Sequence, residues 1–346
     1  DNWKILSASA ATLILNIAEK HEACMAVLGC SCMAATPVYL HKQLRCFDAD
    51  VRTVYMINDS AFSSFYNEID ENILAVDYVC AYWSKLYQNA KIGYVSNFSK
   101  ELFTEKFALQ EESFVPTRSG IVIRDSKYTK LPYERRRLLL SKYKIPLEKK
   151  IIMSWGRSIG YKRLDLVFAV CKQLGGEYYP VVVTNGEFPE LRAYQKSLGV
   201  GGSLIEKYKD FDLISALLQW DNTFVCLFLA EEEPGSIAPM EAMLMAEEKG
   251  PIVMTNNTGI YNELIQDNVN GFIVEGSIKS IARRIREISS YSEKSLNQIR
   301  KNAYCTVVQE FNQESKYLET LVCNIPYLKR YENEMLQYMA QKKNKV

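Results

Sequence analysis

The sequence predicts an α/β protein of two units, each a parallel sheet covered by helices. Three observations carry that reading. Short apolar runs alternate with helical patterns for most of the length, as where each strand leads into a covering helix. The 346 residues exceed the roughly 100–200 of one domain. The stretch 124–149, RDSKYTKLPYERRRLLLSKYKIPLEK, breaks the alternation with charge and two bracketing prolines, and reads as a linker around a short helix. Its ERRR is a solvated face, with an anionic-lipid or nucleic-acid patch as the alternative.

Strands are expected at 51–57 (VRTVYMI), 91–96 (KIGYVS) and 120–123 (GIVI), then at 150–156 (KIIMSWG), 178–186 (YYPVVVTNG), 223–230 (TFVCLFLA), 251–255 (PIVMT) and 271–275 (GFIVE). The opening DNWKILSAS is read as a further strand of the first unit. Helices fall between the strands. KRLDLVFAVCKQLGG places Leu164, Val167, Phe168, Cys171 and Leu174 near helical spacing and stops at Gly175-Gly176. SIKSIARRIREISS repeats Ile278, Ile281, Ile285 and Ile288, and the tail from about 312 is helical with an interruption at Pro326.

A net charge of +1 and 24% charged residues provide no global field toward nucleic acid, so a charged partner must be met by a local site. The nine cysteines (Cys24, Cys30, Cys32, Cys46, Cys80, Cys171, Cys226, Cys305, Cys323) lack paired metal-ligand spacing and read as reduced core residues of a cytoplasmic protein. Only His21 and His41 are present, both in segments that read as helical, which argues against a histidine-dependent triad or zinc site. The run MAVLGCSCMAATPVYL at 25–40 falls short of the about 20 apolar residues of a membrane span, and no signal peptide is expected.

Ligands in open parallel sheets bind at the carboxyl ends of the strands, and three loops of the second half carry suitable chemistry there. After IIMSW come Gly156 and Arg157, then Lys162 at the start of a helix. Glycine admits a ligand to the backbone, and the two cations can clamp a phosphate. After YYPVVV comes the turn Thr184-Asn185-Gly186. After TFVCLFLA comes AEEEPGSIAPMEAMLMA, 230–246: Glu233 in the loop, Ser236 as N-cap, and Ile237, Ala238 and Pro239 as the first turn. Its free N–H groups form an anion site suited to a diphosphate. Glu233 and Glu241 flank that site. Carboxylates accept from hydroxyls, and a diphosphate with sugar hydroxyls on both sides is a nucleotide sugar. The plainer alternative is that Glu231–Glu233 are solvated loop charge and Glu241 is helix surface.

The order GR…KR, TNGE, EPGSIAPMEAM and PIVMTNNTGIYNELIQDNVNGFIVE resembles the nucleotide-binding half of retaining GT-B glycosyltransferases, the group of glycogen synthase, sucrose-phosphate synthase and bacterial mannosyltransferases. Glu233 and Glu241 match its glutamate, seven residues, glutamate motif. The likeness covers about 91–310 and is strongest over 151–275. It implies a GT-B fold: two Rossmann-like α/β/α domains facing across a cleft, the amino-terminal one truncated or reduced. The expected parts are an acceptor-side domain at 1–123, the linker 124–149, a nucleotide-sugar domain at 150–325 and a terminal helix at 326–346 returning to the first domain.

The resemblance also implies roles. Arg157 and Lys162 bind and stabilise the leaving diphosphate, and Glu233 accepts hydroxyls of the transferred sugar, these three being the catalytic set. Gly156, Asn185, Gly186, Pro234, Gly235, Ser236 and Ile237 line the donor, and Glu241 holds the ribose. The implied reaction is metal-independent retaining hexosyl transfer from a UDP- or GDP-type donor to a carbohydrate, lipid or small-molecule acceptor, in the cytoplasm. No cofactor and no nucleic acid take part; a peripheral membrane contact is carried as a further expectation. Where the family often places a histidine against the donor sugar, this chain has Asn58 and Asp59, a candidate amino-domain site. The family's glycine-rich first loop is not found, and MAEEKGP (245–251) is longer than the family's turn. Two rival readings are a non-catalytic nucleotide-sugar-binding subunit or sensor, and a nucleotide-sugar epimerase.

Overall fold

A computed structural model of the chain describes residues 2–21, 23–28, 36, 39–40, 50–57, 71–86, 90–246 and 249–313. The chain divides into two compact units, the first running to Ser119 and the second opening at Gly120.

In the first unit, β1 (Ala23–Leu28), β2 (Asp50–Ile57), β3 (Ala90–Tyr94) and β4 (Phe114–Pro116) form a parallel sheet in that order. Its helices are α1 (Asn2–His21), α2 (Glu71–Leu86) and α3 (Asn97–Phe107). The opening segment read as a strand is therefore helical. Buried Ala11, Ile14, Leu15 and Ala18 recur at the three- and four-residue spacing of one helix face, a period that only appears beyond the first nine residues. Ile57, Ile92, Phe103, Phe107 and Phe114 make a second cluster around β3 and α3. Ser96 and Ser99 close a capping box that starts α3.

The second unit has α4 (Tyr133–Lys142), β5 (Lys150–Gly156), α5 (Asp165–Leu174), β6 (Tyr178–Thr184), α6 (Pro189–Leu198), β7 (Ser203–Ile205), α7 (Asp212–Leu218), β8 (Thr223–Phe228), α8 (Ala238–Met245), β9 (Ile252–Thr255), α9 (Tyr261–Leu264), β10 (Phe272–Ile273), α10 (Ile278–Ser289) and α11 (Glu293–Glu310). The sheet order is β10-β9-β8-β5-β6-β7, all parallel. Counted from β5 this is the doubly wound order 3-2-1-4-5-6, whose switch point lies between the first and fourth strands, here β5 and β8. The strands are buried runs such as Ile151–Met153 and Val181–Val183. On α10, Ile281, Ala282, Ile285 and Ile288 face the core.

Two expectations change here. GIVI at 120–123 is no strand: Ile121 makes one isolated bridge to Asn312, because Gly120 runs against the Phe311 carbonyl, which a Cβ would approach to 2.6 Å. The charged stretch 124–149 packs on the second unit. Tyr133 stacks on Trp220 at 5.4 Å, the Trp220 indole donates to the Leu147 carbonyl, Arg135 pairs with Asp212, and Arg136 donates to the Gln219 carbonyl. Two of the ERRR arginines are thereby engaged within the protein.

Cys80, Cys171 and Cys226 are free and buried, Cys305 free and half-buried. Among the described residues no helix is long and apolar enough to cross a membrane. The expected terminal helix at 326–346, together with His41, Cys30, Cys32, Cys46 and Cys323, lies outside the described residues.

Candidate active site

The loops that leave β5 and β8 meet at the switch point. β5 ends at Gly156, and Arg157 follows, exposed. The expected helix start at Lys162 is instead a 3-10 turn, Gly160–Lys162, closed by Arg163 in the left-handed region at φ 47°; α5 begins at Asp165. That tighter path folds Lys162 back over the sheet end. The Arg157 guanidinium donates to the Tyr161 hydroxyl at 2.6 Å, and the ammonium of Lys162 lies 5.2 Å from the Tyr161 ring centroid. The Tyr161 carbonyl accepts from the Glu231 amide at 2.9 Å, tying the two loops together.

Lys162 Nζ donates to Glu233 Oε2. The carboxylate is 3% exposed, so the ion pair is enclosed. Burial pulls the Lys162 pKa below the ordinary lysine value, Glu233 opposes that pull, and the nearby charge of Arg157 adds to it. The Tyr261 hydroxyl also reaches Glu233 Oε2, at 3.5 Å; burial and the Glu233 charge push the tyrosine pKa up, which keeps it a donor.

The loop after β9 holds Glu233 by its backbone. Ile260 N donates to the Glu233 carbonyl at 2.8 Å, Asn256 to the Ala230 carbonyl at 2.7 Å, and Thr258 to the Glu231 carbonyl at 3.1 Å. Gly259 makes this approach possible. Its φ is +51°, and a Cβ would stand 2.1 Å from the Glu233 oxygen, which no other residue could tolerate.

Ser236 is not the N-cap of α8. Ile237 occupies that position without a side-chain cap. Pro239 sits in the first turn, so the initial N–H groups of α8 carry no side-chain cap beside Glu233.

Glu241, in the same first turn, is 4% exposed. Its Oε1 accepts from Lys127 Nζ at 2.8 Å and from the Tyr128 hydroxyl at 3.1 Å. Burial and Glu241 together raise the pKa values of Tyr128 and Tyr208. Asn185 and Gly186 adjoin the first loop: Asn185 N donates to the Gly156 carbonyl at 3.4 Å, and a Cβ on Gly186 would lie 2.6 Å from Ser158 Oγ. At Gly156 a Cβ would meet nothing within 4 Å.

The fold thus gathers Gly156, Arg157, Lys162, Asn185, Gly186, Glu233, Pro234, Gly235, Ser236, Ile237 and Glu241 along the carboxyl ends of β5, β6 and β8. Asn58 and Asp59 lie outside the described residues. Sequence reasoning passed over Tyr161, Lys127, Tyr128, Tyr208, Gly259 and Tyr261. Tyr161 stood in view between the two cations, and Gly259 within the quoted NNTGIYNEL.

Two parallel α/β units, the second doubly wound with paired cations and carboxylates at its switch point, make up a GT-B fold. Residues 136–306 match the family described as glycosyl transferases group 1. The fold is shared with a glycosyltransferase from Rickettsia africae ESF-5 (TM-score 0.70, 18% identity, 92% of this chain and 81% of that one). It is shared also with sucrose-phosphate synthase from Thermosynechococcus elongatus (0.65, 16%, 85% and 71%). Anabaena HepE, solved in complex with UDP and glucose, is similar too (0.66, 16%, 89% and 80%). No curated protein sequence matches the chain significantly.

Proposed function

We propose that the protein transfers a hexosyl group from a nucleoside diphosphate sugar to an acceptor hydroxyl, in the cytoplasm, with retention of configuration and without a metal ion. The observation that carries this is the enclosed meeting of Lys162 and Glu233 beside Arg157 at the switch point. HepE, with UDP and glucose in its complex, supports a uridine-type donor.

Cleaving the bond between the anomeric carbon and phosphate oxygen leaves negative charge on the diphosphate. Arg157, Lys162 and the start of α8, just beyond Gly235 and Ser236, stand where that charge would grow, fixed before the reaction rather than reorganised during it. Two protein cations take the role a divalent ion has elsewhere. Glu233, released from Lys162 by the phosphate, accepts hydroxyls of the transferred sugar; Glu241 accepts those of the ribose. Gly156, Asn185, Gly186, Pro234 and Ile237 shape the wall. The acceptor oxygen bonds the anomeric carbon on the face the diphosphate leaves, and its proton passes to a phosphate oxygen. Acceptors are carbohydrate, lipid or small-molecule hydroxyls.

Donor consumption with and without candidate acceptors tests this. Arg157→Ala and Glu233→Gln should each lower kcat/KM by about 10²–10³-fold, the usual loss for removing a preorganised charge stabiliser. Arg157→Ala at full rate would overturn the phosphate assignment. Sugar interconversion without acceptor would point to an epimerase, and tight binding without turnover to a sensor.

A further inference from the structure

Lys127 belongs to a segment far from the donor motifs in sequence, yet its ammonium lies on the carboxylate that the reading above assigns to the ribose. The 3-10 turn Ser126–Tyr128 fixes it there. Asp125 caps the turn by accepting from Lys127 N at 3.0 Å, and Tyr128 N returns to the Asp125 carbonyl at 3.0 Å. The ammonium sits 4.8 Å from the Tyr128 ring centroid and 5.2 Å from that of Phe211, rings that themselves meet edge to face at 5.8 Å. Two aromatic faces and one carboxylate oxygen thus hold a point charge in place.

The pair is asymmetric. The Glu241 side chain is 5% exposed and that of Lys127 33%. Lys127 and Tyr128 both donate to Oε1, so among the described residues Oε2 remains the open acceptor. Lys127 has three N–H donors, one of them given to Glu241. A carboxylate oxygen awaiting a donor therefore lies next to an ammonium with protons to give.

Adjacent ribose hydroxyls answer both. The 3′-hydroxyl donates to Oε2, while the 2′-hydroxyl accepts from Lys127. A 2′-deoxyribose satisfies only part of the pair and leaves a desolvated polar group without a partner. Sites built to hydrogen-bond a hydroxyl reject analogues that lack it far more strongly than apolar sites do. Resting on the ribose role of Glu241, we propose that Lys127 is a specificity-determining residue that selects ribonucleoside over 2′-deoxyribonucleoside diphosphates.

Titration calorimetry of the intact chain with UDP and GDP, and with their 2′-deoxy counterparts, tests this. For the base that binds, the ribonucleotide should bind at least about tenfold tighter, the span of one hydrogen bond to a charged group. Lys127→Met should weaken the ribonucleotide and leave the deoxynucleotide nearly unchanged, shrinking the ratio by about the same factor. Lys127→Gln, with a donor but no charge, should give an intermediate ratio, and it serves if the Met variant does not fold. Tyr128→Phe removes the other donor to Oε1 and should keep the wild-type ratio. Wild-type ratios near one, an unchanged ratio in both Lys127 variants, or an equal loss in Tyr128→Phe would each overturn the proposal. Tighter ribonucleotide binding by Lys127→Met would make the ammonium a plug and overturn it too. If no nucleoside diphosphate binds the folded wild type, the transferase reading falls first, and this inference with it.

Discussion

Lys162 is a cation whose own burial works against its charge. Its pKa is lowered from 10.5, with Glu233 opposing the shift, so the ammonium loses its proton at a lower pH than an exposed lysine would. Two pH dependences of opposite sign follow. Nucleoside diphosphate affinity should fall with rising pH before 10.5 is reached, and Glu233→Gln should move that limb further down, by calorimetry across the alkaline range. Folding stability should gain its Lys162 contribution over the same window. Between the lowered folded value and the ordinary unfolded one, the unfolded chain holds more protons, so stability rises with pH. Glu233 and Glu241 were legible because their eight-position spacing brackets one loop and one helix start. Lys127 was not, since it reaches Glu241 across 114 positions, and no local pattern encodes a contact made only after the segment packs.

At the scale of elements, the loop after β9 carries Glu233 as firmly as the loop that contains it. Gly259→Ala should cost about 2 kcal/mol or more, from the left-handed φ and the contact with the Glu233 carbonyl, visible as a lowered urea midpoint. Donor affinity should fall with it, because the carboxylate moves when its backbone does. A variant of unchanged stability and affinity would show that the loop after β9 does not hold Glu233. Elements with a full period were readable: β5, β6 and α10 declare themselves by apolar runs or by isoleucines at helical spacing. β4 and β7 have three residues each, too few for any pattern to stand out. α1 was misread because its helical stripe starts at Ala11, beyond the window that suggested a strand. Ser236 failed as a cap because the helix begins one position later, with Ile237 at its N-cap.

Among the described residues, one apolar cluster lies around β5, α5 and α10 in the second unit, and two smaller ones lie in the first. Chains of this kind depart from one all-or-none transition. Calorimetric melting should therefore resolve two steps, and a nucleoside diphosphate at about 100 times its Kd should stabilise the second unit's step by about 2.7 kcal/mol while leaving the other in place. A single step that shifts as a whole would contradict this. The doubly wound order was implicit in the alternation of strands and helices, and the charged loops marked the ends where ligands gather. The place of 124–149 was not, because its charges looked solvent-directed until Trp220 and Gln219 supplied partners.

The enclosed pair of Lys162 and Glu233 makes the site an exchange rather than a vacancy. On the proposed reading, a diphosphate competes for the ammonium with a carboxylate whose side chain is 5% exposed, and weakening the pairing of a buried charge is costly. A nucleoside diphosphate alone would then leave Glu233 with the Tyr261 hydroxyl as its remaining donor, whereas one carrying its sugar would bring further hydroxyls to it. The two halves of the donor should bind with mutual reinforcement. UDP-glucose should outbind UDP by more than glucose binds by itself, and Glu233→Gln should tighten UDP at neutral pH while erasing that difference. Calorimetry with the three ligands measures it, and equal affinities of the wild type for UDP and UDP-glucose would show that the exchange does not occur. On the proposed reading, a resting ion pair of this kind would hold each charge in place until the whole donor arrives.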